Sequence, residues 1–287
     1  MTDMKGRVDF ELLVTVTNAN ANGDPLDGNR PRKNLAGYGE ISSECIKRKI
    51  RNRLQDLGCC IFVQSEDRSD DGYKSLKARA DGNTELKSAM TGKGADTDTC
   101  RDIACKTWID VRSFGQIFAF KGSDTSIGIR GPVTVQNAVS VSPIDAESVQ
   151  IVKSVNGEDK AGKASDTMGT KHFVPFGLYV IKGSVSAYIA EKTGFSRADL
   201  KLLKEALLTL FENDASAARP EGSMEVRRMF WWEHESCTPA ATAAEVFRSV
   251  RITEKKGRPT CFEDYDIHVE EMEAVVKPEI VKWSTQF

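Results

Sequence analysis

The sequence predicts an α+β fold: one sheet-and-helix body within residues 1–287, carrying two large insertions. Three observations predict it. Val8 to Val16 (VDFELLVTV) alternates apolar residues at 8, 10, 12, 14 and 16, the period of a half-buried strand. After a turn-rich loop, Ile46, Ile50, Leu54 and Leu57 recur at helical spacing; strand, loop and helix open a β-α-β unit of the ferredoxin-like or RNA-recognition-motif-like kind. Two long stretches, 65–104 and 142–170, are mostly small and polar, with too few large apolar residues to extend that body. The body then forms a single palm domain, with 65–104 as a fingers-like insertion and 142–170 as a thumb-like one.

The other elements follow in chain order. Asn18, Asn20, Asn22, Gly23, Asp24, Pro25, Asp27, Gly28 and Asn29 tolerate left-handed backbone or fix turns through their own side chains, which predicts a defined, folded-back loop. Its spacing imitates a calcium loop, but the acidic first ligand is missing and the twelfth position is Asn29 rather than Glu, so calcium is rejected. After the apolar run Cys59 to Val63, the segment Ser65 to Arg101 cannot build a core of its own. Ala104 to Phe120 places Trp108, Val111, Gly115 and Phe118 at helical spacing and reads as a buried helix. Ile127 to Val141 alternates at Val133, Val135, Val139 and Val141 beyond a bend at Gly131 and Pro132, a strand running into the second insertion. The chain returns through Lys171 and His172 into a strand over Phe176 to Val185, so the insertion reads as a hairpin-like projection. Ser196 to Phe211 is the clearest helix, with Ser196 as N-cap and Leu200, Leu203, Leu207 and Leu210 on one face. Met224 to His234, Val246 to Thr253 and Cys261 to Val269 read as strands closing the sheet, with Phe230, Trp231 and Trp232 in the core or a subunit interface.

Charge is distributed unevenly. The net charge is -2, yet Arg30, Arg32, Lys33, Lys47, Arg48, Lys49, Arg51 and Arg53 stand against only Glu40 and Glu44 in the same stretch. Such a local excess is the footprint of a surface facing a polyanionic backbone. On a helical wheel the apolar stripe has Lys47, Arg48 and Arg51 across from it and Lys49 and Arg53 on its flanks. The candidate RNA contacts are Asn20, Asn22, Arg30, Arg32, Lys33, Ser43, Lys47, Arg48, Lys49, Arg51 and Arg53, followed by Arg130, Met168, Lys171 and His172. Arg227 and Arg228 form a weaker basic site. Arg112, Phe114 and Gly115 loosely match the aromatic motif of RNA-recognition sheets, but Ser113 and Gln116 break it, which argues against base stacking by Phe114 or Phe118.

The run N-A-N-G-D-P, then G-N-R-P-R, then C-I-K-R-K-I-R-N resembles the opening of the backbone subunit of type I-C Cascade, the CRISPR surveillance complex, within the RAMP superfamily. The likeness recurs at Ile127 to Val133 (IGIRGPV), Met168 to Tyr179 (MGTKHFVPFGLY) and Thr193 to Arg219 (TGFSRADLKLLKEALLTLFENDASAAR). The resemblance implies a non-catalytic subunit that polymerises head to tail along crRNA and presents it for pairing with target DNA. The partners it implies are crRNA, copies of itself, crRNA-end-capping, large and small Cascade subunits, and a recruited helicase-nuclease. In the thumb-like segment, Val149, Ile151, Val152, Val155 and Met168 are the apolar candidates for a wedge between guide bases, with Met168 beside Lys171 and His172. The competing reading has Met168 plug the core where the insertion rejoins the sheet.

Other chemistries find little support. There is no phosphate-loop or nucleophile-elbow motif, and no pattern of His with Ser or Cys, so no catalytic residue is assigned. The alternative is a metal-dependent ribonuclease using Asp24 and Asp27, because related type III backbone subunits carry a catalytic Asp in the equivalent region. Turn chemistry explains both residues more simply. Seven cysteines form no disulfide framework, and Cys100 with Cys105 lacks a second pair or a nearby His, so neither metal nor cofactor is expected. No apolar run approaches the roughly 18 residues of a membrane span, and the charged start MTDMKGRVDF is unlike a signal peptide; a cytoplasmic protein is expected.

Overall fold

The computed structural model describes residues 3–91, 96–120, 126–152, 168–272 and 276–282. In chain order the first half comprises β1 (Val8–Ala19), β2 (Gly23–Asp24), β3 (Arg30–Pro31), β4 (Tyr38–Ile41), α1 (Ser43–Asp56), α2 (Leu76–Gly82), α3 (Thr84–Thr91), α4 (Thr97–Thr107), α5 (Ile109–Phe114) and β5 (Gly115–Phe118). The second half comprises β6 (Ile127–Arg130), β7 (Val133–Val135), β8 (Ala138–Pro143), β9 (Glu147–Val152), β10 (Met168–Val185), α6 (Ala187–Thr193), α7 (Arg197–Leu208), β11 (Met224–Glu233), α8 (Ala243–Arg248), β12 (Val250–Glu254), β13 (Tyr265–Val269) and β14 (Glu279–Val281). The fold is mixed α/β around one antiparallel sheet of order β14-β11-β1-β10-β8-β4.

β1 lies inside this sheet and is covered on both faces, where alternation alone predicts one. Phe10, Leu12, Val14 and Val16 pack into a core shared with Ile46, Ile50 and Leu54 of α1 and Leu200, Leu203 and Leu207 of α7. On the opposite face Leu13 meets Phe230, Trp232, Val246, Val250 and Tyr265. This second layer corrects the expected strands at Val246 to Thr253 and Cys261 to Val269. Thr242 and Glu245 form a capping box that starts α8, so Val246 and Phe247 face inward from a helix. Among the described residues β12 and β13 pair only with each other, as a lid over the sheet, and the edge beyond β11 is taken by β14.

The segment 65–104 joins a core that its composition alone does not reveal. Ala80, Leu86, Met90, Cys100, Ala104 and Cys105 from α2, α3 and α4 pack around Phe62, Trp108, Phe118, Ile127 and Ile129. These large side chains come from the flanking segments, which is why the stretch itself reads as coreless. Nor is Ala104 to Phe120 one helix. The helix breaks at Trp108, α5 ends at Gly115, whose φ of 80° is left-handed, and Phe118 reaches the core from β5.

Glu11 shares the face of Leu13 and is 1% exposed. Burial raises its carboxyl to about 7, with Lys182 at 3.8 Å offsetting part of the penalty. The folded chain therefore holds a proton that the unfolded chain releases near its ordinary value of 4.5, so stability falls as pH rises between those values. Glu11→Gln is expected to flatten that decline. Melting temperatures at pH 5 and pH 8, read by scanning fluorimetry, check it.

The segment 142–170 leaves the body from β8. β9 pairs antiparallel with the first residues of β10, from Met168 opposite Val152 to Phe173 opposite Glu147, making a two-stranded ribbon. Val155 lies outside the described residues.

Candidate nucleic-acid interface

The loop after β1 folds into a small meander. β2 pairs with β3, the Arg32 N–H donates to the Asn22 carbonyl at 3.0 Å, the Glu40 N–H donates to the Arg32 carbonyl at 2.9 Å, and Lys33 forms a β-bridge with Gly39. Asp24 caps the 3-10 turn Pro25–Asp27 by accepting from the Leu26 N–H at 3.0 Å, and Gly28 and Asn29 close it in the left-handed region. Gly23 lets the Asn29 side chain close over the turn, since a Cβ would stand 1.9 Å from Asn29 Oδ1 and push that side chain aside. At the second turn, Asn34 Oδ1 accepts from the Ala36 and Tyr38 N–H groups, both at 3.0 Å.

Several predicted contacts brace this loop. Asn20 is buried and donates from Nδ2 to the Asn29 carbonyl at 2.7 Å. Asn22 Oδ1 accepts from the N–H of Ser42, the N-cap of α1, at 2.9 Å. The Ser43 N–H donates to Asn137 Oδ1 at 2.8 Å, and its hydroxyl donates to Glu44 at 2.9 Å. Asp24 takes part in an ion pair with Arg32 at 3.6 Å, while Asp27 is exposed on the turn. No group of three or more His, Cys, Asp or Glu side chains among the described residues is arranged to hold a metal ion.

The cationic face of α1 is narrower than the helical wheel implies. Lys49 is buried and paired with Asp214, beside the Phe211 ring. Burial pulls its ammonium below the ordinary lysine value, and Asp214 offsets part of that cost. Arg51 binds Asp110 at 3.0 Å and lies over Phe114, 5.1 Å from the ring centre. Arg53 donates to Thr209 Oγ1 at 2.6 Å and pairs with Asp56 at 3.6 Å. These acids are distant in sequence from the basic run, apart from Asp56. Lys47 and Arg48 remain without an ion-pair partner among the described residues, as do Arg30 and the exposed Lys33. Arg130 is exposed at the end of β6.

One cation was not predicted. The turn after α7 brings Arg219 against the loop, where it donates to the Asn20 carbonyl at 3.5 Å and pairs with Asp214 at 3.5 Å. The Asn20 N–H in turn donates to the Ala218 carbonyl at 2.9 Å. Asn20 Oδ1, Arg32 Nε and Arg219 Nε are buried atoms that make no hydrogen bond among the described residues, Arg219 Nε having only the longer ion pair to Asp214. An isolated Arg nearly two hundred residues downstream carries no local signal that would have placed it here.

The ribbon exposes Val149, Ile151, Val152 and Met168, and Met168 is 62% accessible, which removes the core-plug reading. Facing residues of a strand pair share a side and successive residues alternate. Met168 therefore shares its side with Val152 and His172, while Lys171 lies with Val149 on the other. His172 Nδ1 is 2.8 Å from Ser148 Oγ.

Fold and site together define a class: a mixed α/β chain on one antiparallel sheet, with a cationic meander and helix and a projecting ribbon of exposed apolar side chains. The chain belongs to the CRISPR-associated protein Cas7 family, whose model matches residues 6–270. A curated relative, CRISPR-associated protein Cas7 of Haloferax volcanii, is 25% identical over 237 residues, covering 74% of this chain and 66% of the relative, just under two thirds of its length. Among solved structures, a chain of a "CRISPR RNA-guided surveillance complex, pre-nicking" aligns with a TM-score of 0.49 and 16% identity, covering 78% of this chain and 77% of that one. A chain of a "CRISPR RNA-guided surveillance complex" gives 0.44 and 16%, covering 78% and 68%. No helix among the described residues is long and apolar enough to cross a membrane.

Proposed function

We propose that this chain is the guide-RNA-binding backbone subunit of a Cascade surveillance complex of the type I-C kind. Copies stack head to tail along crRNA and present it to target DNA, while end-capping, large and small subunits complete a cytoplasmic assembly that recruits a helicase-nuclease. The observation that carries the reading is the set of cations without ion-pair partners among the described residues, Arg30, Lys33, Lys47 and Arg48, on the meander and the adjoining helix. Family membership supports it. In this reading the sheet is a ferredoxin-like palm, 65–104 are fingers and 142–170 are a thumb. Guide pairing supplies sequence specificity and the protein supplies backbone contacts, as in other RNA-guided effectors. A surface docking onto a different surface of the next copy generates an open helix, which suits a linear ligand.

The chain acts as a scaffold without cleaving. Its purified form is expected to carry RNA of uniform length and to shift with it to a discrete, large assembly. Site-specific cutting with magnesium or manganese that disappears in Asp24→Ala or Asp27→Ala, with binding intact, would establish the ribonuclease instead. Met168 serves as a wedge between guide bases, with His172 on the same side of the ribbon. Met168→Gly is expected to keep the fold and short-RNA binding but to assemble poorly on a full guide, with loss of periodic nuclease protection. An unchanged protection pattern removes Met168 from the mechanism.

A further inference from the structure

β11 contains a bulge that brings two arginines together. Leu13 pairs with Arg228 and Val14 with Val226, which leaves Arg227 unopposed. Neighbouring residues of a regular strand point to opposite faces, and a bulge re-aims one of them. Here both guanidinium carbons lie over the Phe262 ring, at 4.7 Å for Arg227 and 5.8 Å for Arg228 from its centre. Between β11 and the lid is an open cleft of about 540 Å³.

The two arginines differ in their partners. Arg227 is neutralised internally by Glu225 at 3.3 Å and Glu263 at 3.1 Å. Arg228 has no carboxylate partner among the described residues, its Nε is buried without an acceptor, and burial works against its charge. Its remaining donors call for an oxyanion. Lys255 and Lys282 also line the cleft, and Lys255 reaches the Glu263 carbonyl at 3.0 Å.

The acids of the cleft decide which oxyanion fits. Asp266 is exposed and lacks an ion-pair partner among the described residues, and Glu225 and Glu263 stand nearby. A nucleic-acid strand that set one phosphate on Arg228 would press its neighbouring phosphates against these carboxylates. A peptide carrying both charges matches the cleft on both sides. We propose that the cleft docks a protein partner through a segment in which an Asp or Glu stands beside a Lys or Arg, its carboxylate on Arg228 and its cation on Asp266. The site lies on the lid side of the sheet, opposite α1, and stands apart from the RNA-binding reading.

Arginine-¹⁵N-labelled full-length protein provides the test, with Arg228→Gln identifying the Arg228 Nε–H signal. The probe is the blocked tetrapeptide Gly-Glu-Lys-Gly; inorganic phosphate and a short oligothymidylate are the competing ligands. The expected result is a saturable shift of the Arg228 signal by the peptide, with half-saturation raised about tenfold in Asp266→Asn. Asp266 is exposed, so this variant keeps the fold and decides the matter even where Arg228→Gln disturbs the packing around it. No shift at about 10 mM peptide, or equal or tighter saturation by phosphate or oligothymidylate, overturns the proposal.

Discussion

Replacing Arg30, Lys33, Lys47 and Arg48 together with alanine is expected to leave the chain folded and to flatten the salt dependence of its binding to single-stranded RNA. Each lost phosphate contact lowers the slope by about 0.7, so four remove about 2.8 log units of affinity per log unit of salt. Between about 50 and 200 mM salt the quadruple variant should therefore lose about 50-fold less affinity than the wild type. Fluorescence anisotropy with RNAs of different sequence checks this, and the change should not depend on sequence. Arg51→Ala should behave differently, because it strips Asp110, 1% exposed, of its counter-charge. Breaking such a buried pair costs about 3–5 kcal/mol, seen as lost stability before any effect on RNA. An unchanged slope in the quadruple variant, or a native melting temperature in Arg51→Ala, would reverse these assignments.

A comparable loss of stability is expected from Asp9→Ala. Asp9 is fully buried at the sheet, where it accepts from Arg7 Nε at 2.8 Å and Ser184 Oγ at 2.6 Å and lies 2.9 Å from His234 Nε2. Burial alone would raise its carboxyl, but the hydrogen bonds from His234 and Ser184 and the charge of Arg7 outweigh it and hold the group below the ordinary value of 3.8. Its contribution is therefore complete above that value and is lost as pH falls through the lower, folded one. Removing the carboxylate leaves Arg7 without its buried partner, at a cost of about 3–5 kcal/mol. Urea melts at pH 7 measure the loss, and the acid-unfolding limb of Asp9→Ala should be shallower than that of the wild type. Equal stability at pH 7 would mean that Arg7 and His234 find other partners.

Much of this architecture was legible because its signals are local. The alternation from Val8 to Val16 marks β1, the spacing of Ile46, Ile50 and Leu54 marks the buried stripe of α1, and Ser196 with Asp199 forms the capping box of α7. The loop residues also behave as their chemistry demands, with Asn18, Gly28 and Asn29 all at positive φ. Apolar spacing misled only at 246–248, inside α8, where the capping box at Thr242 starts a helix; 250–253 are the expected strand, β12. Alternation was also insufficient for β1, since a period of two cannot tell that a second layer will bury the other face.

The sequence by itself determined β1, the turn-rich loop after it, α1 and α7, and that a cationic stretch follows the first strand. Those properties depend on residues a few positions apart. Only the tertiary structure decided which cations remain available: Asp110 and Asp214 neutralise Arg51 and Lys49, Thr209 holds Arg53, and Arg219 arrives beside Asn20 from the turn after α7. A charge is free only if nothing folds against it, and what folds against it comes from anywhere in the chain.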